Sequence, residues 1–566
     1  MRTLRLALVA LAALTMTAIA VGSAGAGRGE DQLSKINHIV VIYEENHSFD
    51  NLYGGWEGVN GPSNATAAET TQVDQNGVPY SCMFQRDVNL TTPPLSATCS
   101  AVTPRGASFS SHFLNAPFTI DDFIPSTAAT CPKPLQGFSF ANGLLAGDPR
   151  ALPGGCTRDI VHKFYQEIYQ LHNGAQNRYA TGSDAAALVL GAYDTRQLPV
   201  YRYLHGNGAP HYAIADDFFQ AAFGGSFLNH QWLIAAATPV YPNAPAALHS
   251  IVDSAGFPRS NYPLYSPLAG AIYKDSDLTV TCSSPVKPGG ACGDYAVNTM
   301  QPPFWPRGTF GDKLLYPQVN PTIGDRLSAK GIDWAWYAGG WDNAVGNNTG
   351  LGWTNGSTPG VCGDPNHDPV NSTYPRCPDN LFQYHHQPFN YFANYAPGTP
   401  GRMHLQDEAD FTATAQSSAK SCNLKAVSFV KPVGEENEHP GYASTPNGNS
   451  HLVELLQSIE NSGCAKDTMV IVTYDEFGGQ WDHVTPPGQG LTPGAHDMWG
   501  PGTRIPTLIV SPFLRGNEVV DHTQYDTTSI LATIERRWDL NPLSSRDRSV
   551  NSLADVFQAK QYEAAG

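Results

Sequence analysis

Ten cysteines occur with no C-x-x-C pair among them, so neither a thioredoxin-like redox site nor a zinc ribbon is indicated. Basic residues never cluster, and the formal net charge is −17. A molecule of that sign repels nucleic acid and anionic membrane at long range, which excludes nucleic acid and stable membrane association as partners. Beyond the first 26 residues no apolar run is long and charge-free enough to span a bilayer. Internal repeats, heptads and low-complexity tails are also missing, and the opening segment carries no twin-Arg pair. What remains is a globular chain whose chemistry must lie in local clusters of side chains.

The first such feature is the opening, MRTLRLALVALAALTMTAIAVGSAGAG. Arg2 and Arg5 precede an apolar stretch, and Ala24-Gly25-Ala26 offers an A-x-A cleavage site, the pattern of a secretory signal peptide over residues 1–26. Its removal takes two arginines from −17 and leaves −19. The expected localisation is secreted, periplasmic or extracellular, where disulfides persist. The cysteines fall as neighbours along the chain: Cys82 and Cys99, Cys131 and Cys156, Cys282 and Cys292, Cys362 and Cys377, Cys422 and Cys464. Short loops make that pairing the simplest.

Two apolar runs carry the fold argument. HIVVIYEENHSFDN (38–51) ends on Glu44, Glu45 and Asn46, and TMVIVTYDEFGGQWDHV (468–484) ends on Asp475 and Glu476. Both suit strands buried on two faces, where ionised groups are costly unless paired. They lie roughly 430 residues apart and make sense only in one sheet. Residues 27–566 are therefore read as a single domain with insertions near 55–135, 240–310 and 342–400. Further strands are expected at 211–219, 332–340, 425–432 and 504–512, and helices at 161–174, 450–463 and 525–538. Asn449 or Ser450 caps the second helix and Gly463 stops it. Alternating strands and helices imply an α/β fold with a largely parallel sheet, helices on both faces, and ligands at the carboxyl ends of strands.

Glu45, Asn46, Asp475 and Glu476 sit at those ends and form an oxygen donor set suited to one divalent cation, with Ca, Mg, Mn and Zn all open. A lone acid pair more often caps a turn or meets an arginine; two acid-tipped buried strands together favour the metal. DDFFQAAFGGSFLNHQWL (216–233) brings Gly224-Gly225 to Ser226, Asn229 and His230, a way to hold a hydroxyl nucleophile on a tight turn. The glycines also fit a plain turn, and the context is not G-x-S-x-G. His162, His385-His386, His439 and His483 stand in polar or Gly/Pro-punctuated contexts. Of these the adjacent pair is the best candidate for charge stabilisation or proton transfer.

INHIVVIYEENHSFDNLYG, YDEFGGQWDHVTPP, GPGTRIPTLIVSP and HTQYDTTSILATIERRW, in that order, resemble the phosphoesterase family that unites bacterial phospholipases C with certain acid phosphatases. HKFYQEIYQLHNG, AFGGSFLNHQWL, the HH pair and VKPVGEENEHPGYAS place the likeness nearest the secreted acid phosphatase branch. The resemblance implies an alkaline-phosphatase-like core, a metal among Glu45, Asn46, Asp475 and Glu476, and Ser226 as nucleophile. It also implies a phosphate pocket lined by His162, His385, His386 and His439; Asn229, His230 and His483 are expected on the substrate side. His47 replaces the Arg or Thr common in relatives, and QLHNGAQNRYA replaces their GGK-type turn.

The expected reaction is hydrolysis of a small phosphate monoester through a phosphoserine. His162, or after it His439, protonates the leaving oxygen, and protonated histidines put the optimum on the acid side of neutrality. The alternatives are a phospholipase C and a non-catalytic secreted binding protein that keeps the fold. The chain ends at NSLADVFQAKQYEAAG, soon after the last shared block, without the extra C-terminal β-domains of many phospholipase C relatives. A sulfatase-type enzyme is disfavoured because C-x-P-x-R and S-x-P-x-R are absent.

Overall fold

The computed structural model describes residues 27, 29–85, 95–102, 106–124, 157–250, 252–253, 275–279, 291–304, 314–359, 382–441 and 443–561. At its centre is an eight-stranded sheet. Its strands are β1 (His38–Glu44), β2 (Tyr212–Ala215), β3 (Trp334–Ala338), β4 (Leu405–Asp407), β5 (Val427–Lys431), β6 (Thr468–Tyr474), β7 (Thr507–Val510) and β8 (Val519–Asp521). They lie in the order β8-β2-β7-β6-β1-β5-β3-β4. Only β7 runs antiparallel to its two neighbours. The remaining strands therefore deliver their carboxyl ends to one edge.

Composition explains the middle of the sheet. Ile39, Val40, Val41 and Ile42 of β1 and Met469, Val470, Ile471 and Val472 of β6 are all buried. Burying each such side chain contributes about 1.5–3 kcal/mol of transfer free energy, and branching at Cβ suits the pleat. β1 and β6 are direct parallel neighbours, pairing His38 with Thr468 through to Glu44 with Tyr474. This register sets Glu45-Asn46 beside Asp475-Glu476. β5 flanks β1 on the other side and ends at Lys431, at the same edge.

Several boundaries differ from the sequence expectation. The strand expected at 211–219 stops at Ala215 and resumes only as a short pairing of Phe218–Phe219 with Tyr525–Asp526. Asp216 and Asp217 separate the two, and Asp216 N–H bonds Asp521 O at 3.1 Å. Helix α1 spans Phe164–Leu171, α2 Ser226–Ala235, α3 Glu408–Ser417, α4 Thr445–Glu460 and α5 Thr528–Trp538. α4 begins five residues before the expected start: Ser444 is its cap, accepting from Asn447 N–H, and Pro446 sits in the first turn. Proline is tolerated there because the N–H it lacks has no helical acceptor. Asn449, expected as the cap, is buried inside the helix, and the C-cap is Asn461 rather than Gly463.

Cys82–Cys99 and Cys422–Cys464 are bonded as expected. Cys292 is disulfide-bonded too. Cys131, Cys156, Cys282, Cys362 and Cys377 lie outside the described residues, as does the expected signal peptide. Among the described residues no helix is long and apolar enough to cross a membrane.

Candidate active site

β1 cannot continue past Glu44 because Asn46 takes a left-handed φ of 60°. Asparagine tolerates that region better than most residues. The turn is tied to β6 when Asn46 N–H donates to Asp475 Oδ1 at 3.0 Å, an oxygen that also accepts Glu476 N–H at 2.8 Å. Beyond them Gly478 adopts φ 62°, and a Cβ there would lie 2.2 Å from the Asn46 carbonyl oxygen. Only glycine lets the two strand ends approach this closely.

Ser226 does not sit on a plain tight turn. It is the first residue of α2, with Gly225 as N-cap. Gly224, at φ 90°, packs so near Phe164 that a Cβ would come within 2.6 Å of its backbone nitrogen. The Ser226 hydroxyl lies 3.2 Å from Glu45 Oε2 and 3.5 Å from Glu476 Oε1. The hydroxyl thus stands at the positive end of a helix dipole, beside N–H groups without intrahelical acceptors, a natural seat for an anion. Residues from strand ends and a helix start, widely separated in the chain, meet here.

The acids differ electrostatically. Burial alone would raise the Glu45 carboxyl, but Lys431 and His386 offset it and hold that group well below the usual carboxylate range. Lys431 Nζ contacts Glu45 Oε1 directly and donates to the Tyr43 carbonyl at 2.8 Å, and His386 Nε2 is 2.9 Å from the same carboxylate oxygen. Burial, then the charge of Glu45, push Asp475 up; burial, then Asp475, push Glu476 up. Two oxygens in the cluster, Asn46 Oδ1 and Asp475 Oδ2, are buried without a hydrogen-bond partner. Three carboxylates against one ammonium, with orphaned oxygens turned inward, fit a divalent cation. Glu45, His230 and His386 also bring one ligand atom each to within 4.8 Å of one another.

The histidines divide into two groups. His162 Nδ1 donates to the Ile160 carbonyl, while Nε2 lies 3.3 Å from Glu476 Oε1. The His439 ring lies 6.2 Å from it, centroid to centroid. On the other side His386 stacks on His230 at 5.2 Å and meets His385 edge-on at 4.7 Å. Burial drives the His386 imidazole down to about 4, against the pull of Glu45, and depresses His385, His230 and His439 as well. Against the expectation of protonated histidines, burial favours the neutral form of these rings, and Lys431 adds to it for His385, His386 and His230.

Three residues expected on the substrate side are engaged elsewhere. Asn229 spends its amide on the glycine turn, accepting Ala222 N–H and donating to the carbonyls of Ala222, Gly224 and Gly225. His230 is fully buried, and its Nδ1 donates to the Ser226 carbonyl at 2.7 Å. His483 bonds Asp50 and Asn60 within a network centred on buried Arg504. Residues outside the conspicuous motifs do the bracing. Glu167 of α1 accepts Gly224 N–H and both donors of Thr503, and Gln220 links Gly224 O to Phe477 N–H. Lys431 closes a strand whose five residues are all buried, an unusual place for a lysine.

An attackable hydroxyl at a helix amino end, oxygen ligands for a cation and imidazoles on both flanks are the equipment of an enzyme that hydrolyses phosphoric esters. Residues 36–136 and 148–541 match the Phosphoesterase family, and the chain belongs to it. Phospholipase C A of Mycobacterium tuberculosis (strain ATCC 25618 / H37Rv) is 23% identical over 564 residues, covering 94% of this chain and 79% of that one. Phospholipase C B of the same strain is 22% identical over 567 residues, covering 94% and 80%. Non-specific phospholipase C6 of Arabidopsis thaliana is 30% identical over 146 residues, 22% of this chain and 28% of that protein.

Proposed function

We propose that the protein is an exported acid phosphatase with an alkaline-phosphatase-like core, hydrolysing small phosphate monoesters through a phosphoserine at Ser226. The observation that carries this reading is the Ser226 hydroxyl 3.2 Å from Glu45 Oε2 at the first turn of α2. Glu45, Asn46, Asp475 and Glu476 would hold a divalent cation, which supplies Lewis acidity to the serine oxygen and to a phosphoryl oxygen. Ser226 Oγ passes its proton to the adjoining carboxylates and attacks phosphorus in line. The P–Oγ bond forms as the ester P–O bond breaks, and His162 Nε2 delivers a proton to the departing alkoxide. Water entering on the vacated side loses a proton to His162, cleaves P–Oγ and frees phosphate, and Ser226 regains its hydrogen. The first-turn N–H groups of α2 and the imidazoles of His385 and His386 would stabilise the equatorial oxygens. His439 holds Asn46 in position.

The mouth of the site supports a small polar substrate. Ser226 is 7% exposed. His162, 3.3 Å from Glu476, is 16% exposed, and Asp159, 3.4 Å from His162, is 55% exposed. A polar rim of this kind suits a hydrophilic leaving group. The second reading, a phospholipase C, is favoured by the names of relatives matched over 94% of the chain. Turnover of p-nitrophenyl phosphate against phosphatidylcholine separates the two. Ser226→Ala should abolish turnover and acid-stable incorporation of phosphate into the protein; survival of either removes the nucleophile.

A further inference from the structure

Glu44 and Glu45 are consecutive, so their side chains leave β1 toward opposite faces of the sheet. Glu45 enters the cluster described above. Glu44 is fully buried on the other face, and neither of its carboxylate oxygens has a hydrogen-bond partner. It lies within electrostatic reach of Glu438, Lys431, His451 and Glu408. Burying a carboxyl group whose oxygens lack hydrogen-bond partners is expensive, and a cation position in addition to Lys431 would relieve it.

Such a position exists beside it. His451 of α4 points Nε2 at Glu408 Oε1, 2.6 Å away at the start of α3, and at Glu436 Oε2, 3.7 Å away in the loop after β5. One ligand atom from each residue falls within 4.8 Å of the other two. The separations bracket the roughly 3.4 Å between neighbouring ligand atoms around a tetrahedral ion with bonds of about 2.1 Å. Glu436 and His451 border a cavity of about 300 Å³ that also touches Glu435, Asn447, Ser450 and Glu454. Glu454 Oε2 is 3.9 Å from His451 Nδ1, on a side chain 76% exposed, so the cavity has a route to solvent.

We infer that Glu408, Glu436 and His451 form a second divalent-cation site, on the sheet face opposite the catalytic cluster. One imidazole and two carboxylates suit a borderline ion such as zinc. The ion would join α3, α4 and the loop that carries His439 three residues beyond Glu436. The inference stands on its own residues and not on the catalytic reading.

The full chain, stripped with chelator and titrated calorimetrically with Zn²⁺, should show a binding step that His451→Ala weakens at least about 100-fold. Glu436→Gln should weaken the same step about 10–100-fold. Its side chain is 40% exposed, so it serves as the variant least able to disturb folding. Asp475→Asn, which strikes the catalytic cluster, should leave this step in place. Hydrolysis of p-nitrophenyl phosphate at saturating metal should be unchanged in His451→Ala and Glu436→Gln. A step that is absent from the parent protein, or that survives both variants and disappears in Asp475→Asn, overturns the inference. Loss of the catalytic reading through an active Ser226→Ala would leave it untouched.

Discussion

Asn46 donates its side-chain N–H to His439 Nε2 at 3.0 Å, and that bond decides which end of the amide meets the carboxylates. His439 Nδ1 donates to the Pro440 carbonyl, so Nε2 is left as an acceptor and can receive only the NH₂ end. The amide oxygen is thereby turned into the cluster, where it has no hydrogen-bond partner. His439 acts on the centre through Asn46. Its Nε2 is held by the Asn46 amide at 3.0 Å, whereas the same amide lies 3.5 Å from His162 Nε2, so His162 is the less tightly engaged of the two and the proposed proton donor.

His439→Ala should therefore weaken the catalytic cation about 10–100-fold, the usual cost of losing a residue that orients a ligand. Activity measured against metal concentration should shift to higher metal and recover at saturation, with KM for the ester little changed. His439→Gln, whose amide oxygen accepts as Nε2 does, should recover part of the loss. An unaltered metal dependence in His439→Ala would show that Asn46 is oriented by something else.

His162→Asn tests proton delivery. A general acid contributes about 10²–10⁴-fold when the leaving group is basic. Phenyl phosphate, with a poor leaving group, should lose far more turnover than p-nitrophenyl phosphate, whose phenolate departs without help. Equal losses on both esters would assign His162 to binding alone.

Lys431→Met removes the ammonium that touches buried Glu45. Leaving one partner of a buried pair uncompensated costs about 3–5 kcal/mol. Urea midpoints in chelator should fall accordingly, and saturating divalent cation should narrow the gap because it replaces part of the lost charge. A gap that metal does not narrow would mean that the cation does not share Glu45.

These tests turn on residues that differed in how visibly the sequence marked them. β1 and β6 were legible because two-faced burial writes an unbroken apolar run that stops where the acids begin, and their pairing followed from the cost of burying those acids. α4 was read late because its first turn is STPNG, residues that signal a loop until Ser444 is seen to cap it. Ser226 looked like part of a turn because two glycines precede it; its place at a helix start depends on Phe164 and Glu167 closing over Gly224. The neutral state of His385 and His386 was invisible, since burial by distant segments sets it. Lys431, Glu167 and Gln220 were passed over for a related reason. A polar residue in an apolar run reads as an edge until its partner, hundreds of residues away for Lys431 and Glu45, is in place.

Glu167 gives the stability prediction. Burial raises its carboxyl from 4.5 to about 7, against the hydrogen bonds from Gly224 and Thr503. Below pH 4.5 folded and unfolded chains both carry the proton. Between 4.5 and 7 the unfolded chain has released it while the folded protein still holds it, so stability falls as pH rises, by about 1.4 kcal/mol per unit. Above 7 both are ionised and a loss of about 3 kcal/mol has been incurred in full. Glu167→Gln cannot ionise. It should be less stable at pH 5, because its NH₂ faces the N–H donors of Gly224 or Thr503, yet its slope between pH 5 and 7 should be flatter by that amount. Urea unfolding at pH 5, 6, 7 and 8 in chelator measures both slopes. Parallel lines would mean that Glu167 keeps an ordinary carboxylate, and that the glycine turn beneath Ser226 is braced by a charge rather than by a proton.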